Sequence, residues 1–219
     1  MLLVLQAVIP TAEAPVLADA ARALSFDDGK KTAGRFARDV KANDQAAASA
    51  ARDAVLTRVE QALAAHPVFR SAARPKALSR LILSRYRTGQ TYGLHVDDAL
   101  MQGLRTDLSF TLFLSDPGSY DGGALIIEDH FESRAIKLAA GDMILYPATT
   151  LHQVEPVTRG ERLAAVGWVQ SLIRDAGQRE ILFDLDQSVE ECFAATGKSP
   201  QFDRLAKTRS NLLRMWAEP

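Results

Sequence analysis

Tyr86-Arg87-Thr88-Gly89-Gln90-Thr91-Tyr92-Gly93-Leu94-His95-Val96-Asp97-Asp98 is the stretch on which the reading of this chain turns. Its centre is His95-Val96-Asp97. On a β-strand, residues two apart point to the same face, so the imidazole and the carboxylate converge on one point. Two ligands do not hold a catalytic metal, and a third is wanted from far along the chain. Only His130 and His152 lie downstream. His152 sits in Leu145-Tyr146-Pro147-Ala148-Thr149-Thr150-Leu151-His152-Gln153-Val154, and ten residues later comes Arg162. A lone His-x-Asp arises by chance in many proteins. Joined to a distant histidine and an arginine at that offset, all in strand-like contexts, it is specific.

Two histidines and one carboxylate on one face of a metal describe non-haem Fe(II) oxygenases, which leave positions open for O2 and a co-substrate. An arginine beyond the second histidine suits 2-oxoglutarate, because its guanidinium forks onto the distal carboxylate. Arg159 competes for that role but falls in a turn. Tyr86 to Asp98, Asp121-Gly122-Gly123-Ala124-Leu125 and Leu145 to Arg162 resemble the prolyl 4-hydroxylase-like branch of the Fe(II)/2-oxoglutarate-dependent dioxygenases. Within it they are most similar to the bacterial PKHD-type hydroxylases. The similarity extends to Val40-Lys41-Ala42-Asn43-Asp44-Gln45 upstream and Trp168-Val169-Gln170-Ser171 downstream, roughly residues 30 to 190.

The resemblance implies a double-stranded β-helix, or jelly roll, with His95, Asp97 and His152 as metal ligands and catalytic centre. Arg162 would bind the co-substrate. Tyr86, nine residues before His95, resembles the family tyrosine that hydrogen-bonds it. Tyr92 either packs in the core or lines the pocket. Phe113 stands where some prolyl hydroxylases carry a tyrosine. Asp98 is expected in solvent and His130 in an exposed loop. The implied cofactors are Fe(2+), 2-oxoglutarate as co-substrate and L-ascorbate as reductant, with O2 consumed. The implied reaction couples decarboxylation of 2-oxoglutarate to succinate and CO2 with hydroxylation of a small molecule or peptide. Bacterial relatives of this type are associated with iron uptake, which keeps a siderophore-like substrate open. The alternative from another class is a non-catalytic metal-binding jelly roll, acting as a sensor or small-ligand binding module.

Composition sets the remaining bounds. Among 219 residues, 47% are hydrophobic, ample for a core, and the net charge of -1 gives no reason to expect nucleic acid or an anionic membrane. The single cysteine, Cys192, rules out an internal disulfide and suits a reducing compartment; its apolar helical setting reads as a buried, inert thiol. No run approaches the ~20 apolar residues of a membrane span, and Met1 to Pro10 lacks the marks of a signal peptide. A cytoplasmic location is the expectation.

Leu2 to Ile9 reads as a buried strand, Pro15 to Leu24 as a short helix, Asp27 to Lys30 as a turn and Gly34 to Val40 as an exposed strand. Val55, Leu56, Val59 and Leu63 recur at helical spacing within an Ala46 to Ala65 helix. From Ala77 short apolar or alternating runs separated by turn clusters predict an antiparallel sandwich or barrel. Thr158-Arg159-Gly160 reads as a hairpin turn that would set His152 and Arg162 on adjacent strands. After Ser171 the pattern is helical again and breaks at Gly197-Lys198-Ser199-Pro200. The expected organisation is therefore α+β: a jelly-roll domain with N-terminal buttressing helices over 1–175 and a C-terminal helical hairpin over 176–219. That hairpin would pack on the sheet or on a second subunit, as a homodimer requires.

Overall fold

The computed structural model describes all residues except 33, 35, 36, 129–131 and 219, and the side chain of residue 32. His130 lies outside the described residues. Two antiparallel sheets form the core. The larger runs in the order Leu3–Leu5, Met143–Pro147, Leu108–Phe113, Glu161–Ser171, Ile82–Arg87, Asp44–Ala46, Phe26–Asp28, with Pro75–Leu78 also pairing Glu161–Ser171. The smaller runs Ser133–Ile136, Leu125–Glu128, His152–Val154, Thr91–His95, Lys41–Ala42. This is the expected jelly-roll core, with helices on one face and at the C-terminus.

The large sheet is buried on both faces, and its sequence alternates accordingly. In Leu108–Phe113 every residue is buried. Leu108, Phe110 and Leu112 join the core shared with the helices, together with Leu83, Leu163 and Ala165. Phe113 faces the other way, into a cluster with Tyr86, Ile144, Tyr146, Leu125 and Val154 between the sheets. Each fully buried Leu or Phe contributes about 1.5–3 kcal/mol of apolar burial. Phe110 is register partner of Gly167, and a Cβ there would lie 2.7 Å from the Phe110 ring, so only glycine lets the strands close.

Three helices cover the outer face: α1 (Ala14–Arg22), α2 (Ala50–Ala65) and α3 (Pro67–Ala73). The α2 helix begins at Ser49, whose side chain accepts from the Arg52 amide at 3.1 Å. It buries Val55, Leu56, Val59 and Leu63, the stripe expected from spacing. His66 ends α2 and caps α3, its Nδ1 accepting from the Phe69 amide, so it serves the start of a helix that sequence reading did not mark.

Several expectations need correction. The first strand stops at Leu5 because the Ala7 amide donates to the Asp142 carboxylate at 2.8 Å, turning the chain at a positive φ of 50°. Asp27 and Asp28 end a strand, and Gly29–Thr32 is a 3-10 turn. Ala37–Val40 is also a 3-10 turn, not an exposed strand; residues 35 and 36 lie outside the described residues. Cys192 is only half-buried.

The C-terminal helices α4 (Ala176–Thr196) and α5 (Pro200–Trp216) form a hairpin turning at Gly197, φ 62°. Buried Asp186 of α4 accepts from Arg74 Nη2 at 2.6 Å, from the Ser71 hydroxyl and from Arg209 of α5, tying both helices to α3 and its end. No residue of α5 is buried. Among the described residues, no helix is long and apolar enough to cross a membrane.

Candidate active site

The small sheet carries two of the three candidate ligands. His95 ends the Thr91–His95 strand, and His152 opens the strand beside it; the two are register partners with ring centroids 4.3 Å apart. The His95 Nδ1 lies 2.8 Å from the Gly93 carbonyl, and the His152 Nδ1 lies 3.0 Å from the Thr150 carbonyl. A carbonyl only accepts, so each Nδ1 carries its proton and each Nε2 is left with a lone pair. Asp97 is not on the strand, which ends at His95. Its place is held by the Ser109 hydroxyl, which donates to Oδ2 at 2.6 Å from a strand of the large sheet. That same oxygen lies 3.8 Å from His152 Nε2. One ligand atom from each of His95, Asp97 and His152 falls within 4.8 Å of the others.

The surroundings keep His95 in the right protonation state. Burial, then the neighbouring His152, lowers the His95 pKa to about 4, so the ring is neutral and able to ligate near pH 7. Tyr92 stacks on His95 at 3.6 Å, which makes it a wall of the site, and Lys41 stands 4.8 Å from the Tyr92 ring. Asp98 is exposed, as expected.

Arg162 does not lie on a strand adjacent to that of His152. Val157–Arg159 pairs with Asp121–Gly122, and the chain then crosses into the large sheet at Gly160, so the two residues face each other from different sheets. The correction leaves them in one cavity of about 490 Å³, which also opens past Tyr86, Asn43 and Trp168. Arg162 is 1% exposed, and its Nε and Nη2 have no hydrogen-bond partner among the described residues. Its guanidinium carbon lies 5.3 Å from the Tyr86 ring and 5.1 Å from the Phe113 ring. Tyr86 is its register partner. Burial pushes the Tyr86 phenol up to about 12, opposed by the charge of Arg162 and by Asn43 beside it.

Burying a cation without a counter-ion costs several kcal/mol. An enclosed guanidinium with orphaned donors therefore fits an anionic ligand, and a carboxylate matches its fork. The two imidazoles and one carboxylate fit a divalent transition metal with open positions.

Sequence reading missed four polar groups. Lys41, Asn43 and Gln45, two apart on a segment bridging the sheets, line the cavity and are buried; their alternation was the available signal. Ser109 had no signal, because its contact with Asp97 is made only by folding.

Comparison with known proteins agrees with this geometry. Residues 81–170 match the model of the 2OG-Fe(II) oxygenase superfamily, and residues 176–218 match that of the PKHD-type hydroxylase C-terminal domain. A PKHD-type hydroxylase of Maricaulis maris is 56% identical over 218 residues, 100% of each chain. One of Acaryochloris marina is 49% identical over 219 residues, again 100% of each. The crystal structure of a Pseudomonas putida prolyl-4-hydroxylase superposes with a TM-score of 0.55 at 19% identity, covering 78% of this chain and 92% of that one. The non-heme alpha ketoglutarate dependent epimerase SnoN from nogalamycin biosynthesis gives a TM-score of 0.58 at 17% identity, with 78% of each chain covered. These two share the fold. The full-length relatives carry the assignment: the chain belongs to the PKHD-type hydroxylases of the 2OG-Fe(II) oxygenase superfamily.

Proposed function

We propose that His95, Asp97 and His152 hold Fe(II), and that Arg162 with Tyr86 holds 2-oxoglutarate, for hydroxylation of an organic substrate entering by the mouth of the same cavity. The observation that carries this reading is the buried guanidinium of Arg162, its Nε and Nη2 without a partner among the described residues, in one cavity with the three convergent ligands. Together, bound iron and 2-oxoglutarate supply the oxidising power, with succinate and CO2 as products of the co-substrate.

The chain's own residues do the rest. The Gly93 and Thr150 carbonyls orient the two imidazoles, and the Ser109 hydroxyl aims Asp97, as outer partners do at metal sites. Arg162 would grip the co-substrate's distal carboxylate from the wall of the cavity it shares with the three ligands. The Tyr86 phenol stays protonated near pH 7 and donates a hydrogen bond from the adjoining strand. The buried cluster that holds Tyr86, Phe113 and Tyr146 keeps water from the Arg162 side of the cavity. We extend the reading to L-ascorbate as the reductant that returns oxidised iron to Fe(II); family resemblance is its support.

The test is succinate formation by Fe(II)-loaded protein given 2-oxoglutarate and O2. The wild type is expected to form succinate, and Arg162→Ala to lose it. Succinate formation unchanged in Arg162→Ala would overturn the assignment of that residue.

A further inference from the structure

The cavity runs on to an end that neither the metal ligands nor Arg162 occupies. Arg162 and Trp168 point to the same face of the Glu161–Ser171 strand, and both line the cavity. Six residues set their Cα atoms roughly 20 Å apart. Trp168 is the register partner of Ser109, the residue that holds Asp97, so the Asp97 side of the triad stands at its level. The Ser79 amide donates to the Trp168 carbonyl at 2.9 Å, and the Trp168 amide donates to Ser79 Oγ at 3.1 Å. That pairing brings Arg80 to this end. The Asp44–Ala46 strand, with Gln45 opposite Ser84, runs antiparallel toward the same end, and α2 with Arg52 follows it.

The groups gathered here are donors. Arg80 lines the cavity from an exposed position, with no hydrogen bond or ion pair among the described residues. The Arg52 side chain is 12% exposed and also lines the cavity; its Nε and Nη2 share one oxygen of Asp53, a carboxylate that is itself exposed. Such a pair is weak and easily exchanged. Trp168 Nε1 is buried without a partner among the described residues. The acids among the described lining residues are Asp97 and Asp98. Asp97 belongs to the metal site and lies in the field of Lys41, while Asp98 stands against Gly34. Two guanidiniums and an indole N–H call for an acceptor that carries negative charge.

We propose that the organic substrate is a small anion whose carboxylate or phosphate group is held by Arg52, Arg80 and Trp168 Nε1. The carbon to be hydroxylated then lies toward His95, Asp97 and His152. The inference rests on the function proposed above and names its substrate class. A volume of about 490 Å³, shared with the co-substrate, suits a small molecule. A neutral analogue would leave the donors unanswered and be rejected.

The test titrates acetate, methyl phosphate and, as neutral control, acetamide into the full chain holding Mn(II) and saturating 2-oxoglutarate at fixed ionic strength. The chain has two tryptophans, Trp168 and Trp216, so in a Trp216→Phe background the emission reports Trp168. A saturable change is expected with an anion and none with acetamide, and the tighter of the two anions names the head group. Arg80→Gln, at an exposed position without a partner, and Arg52→Gln are each expected to weaken that anion about tenfold. No saturable response to either anion, an equal response to acetamide, or an unchanged anion affinity in both variants would overturn the inference. Calorimetric binding of 2-oxoglutarate by the same parent protein reads the Arg162 assignment separately. A protein that binds 2-oxoglutarate but neither anion overturns the substrate class alone, and one that binds none of them overturns both.

Discussion

His95 and His152 are register partners on neighbouring antiparallel strands, each with its Nδ1 on the carbonyl of the residue two before it. The repeated device gives both rings the same tautomer and turns both Nε2 atoms inward. Asp97 has no such strand to rely on and depends on Ser109. The site is therefore a rigid histidine pair completed by one braced carboxylate.

Ser109→Ala is expected to weaken divalent metal binding about tenfold, within the 10–100-fold range for loss of an outer partner. His152→Ala, which removes a ligand, should weaken it further. Titration of Mn(II) followed by electron paramagnetic resonance checks both, and an unaltered Ser109→Ala would contradict the bracing of Asp97.

Arg162→Met should separate binding from stability. The wild type carries a buried cation with no counter-ion among the described residues, so an apolar side chain of similar length is expected to hold or raise the melting temperature of the ligand-free protein. Added 2-oxoglutarate, with metal, should stabilise the wild type by mass action and leave the variant unmoved. Thermal melts with and without ligand read both.

Asp44 ties the segment that bridges the sheets to the Tyr86 strand, accepting from Arg85 Nη2 at 3.0 Å and Gln90 at 2.9 Å and pairing with Arg87 at 2.9 Å. Burial pulls its carboxyl up, but Gln90, Arg85 and Arg87 more than offset this and hold it below the ordinary 3.8. A depressed carboxyl contributes stability above the unfolded value, and that contribution is lost as pH falls through the folded one. Asp44→Asn should therefore cost about 1–3 kcal/mol at pH 7. The gap should close below about pH 4, as urea denaturation at a series of pH values would show.

Asp186→Ala should release the C-terminal hairpin. It strands Arg74, itself 8% exposed, without its carboxylate. Breaking such a buried pair costs about 3–5 kcal/mol. Limited proteolysis is expected to cut first within α4 or α5 of the variant and not of the wild type.

Much of this was legible in the chain because it is written in local pattern. The α2 stripe, the alternation of the strands and the offset from His152 to Arg162 depend on periodicity or spacing. What was not legible arises from packing. The small sheet ends at His95, so Asp97 reaches the site from a loop, while the cross-over at Gly160 carries Arg162 into the opposite sheet. Residues 37–40 alternate like a strand yet close a 3-10 turn. Pro67 reads as a helix stop, but it also starts α3. Ser109 looks ordinary until the fold sets it against Asp97.

Calorimetric titration of 2-oxoglutarate, with Mn(II) present or absent, tests most directly whether ligand triad and guanidinium form one site. The account predicts a single site per chain that needs the metal and is lost in both His152→Ala and Arg162→Ala. Equal affinity with and without Mn(II), or full binding by either variant, would contradict it.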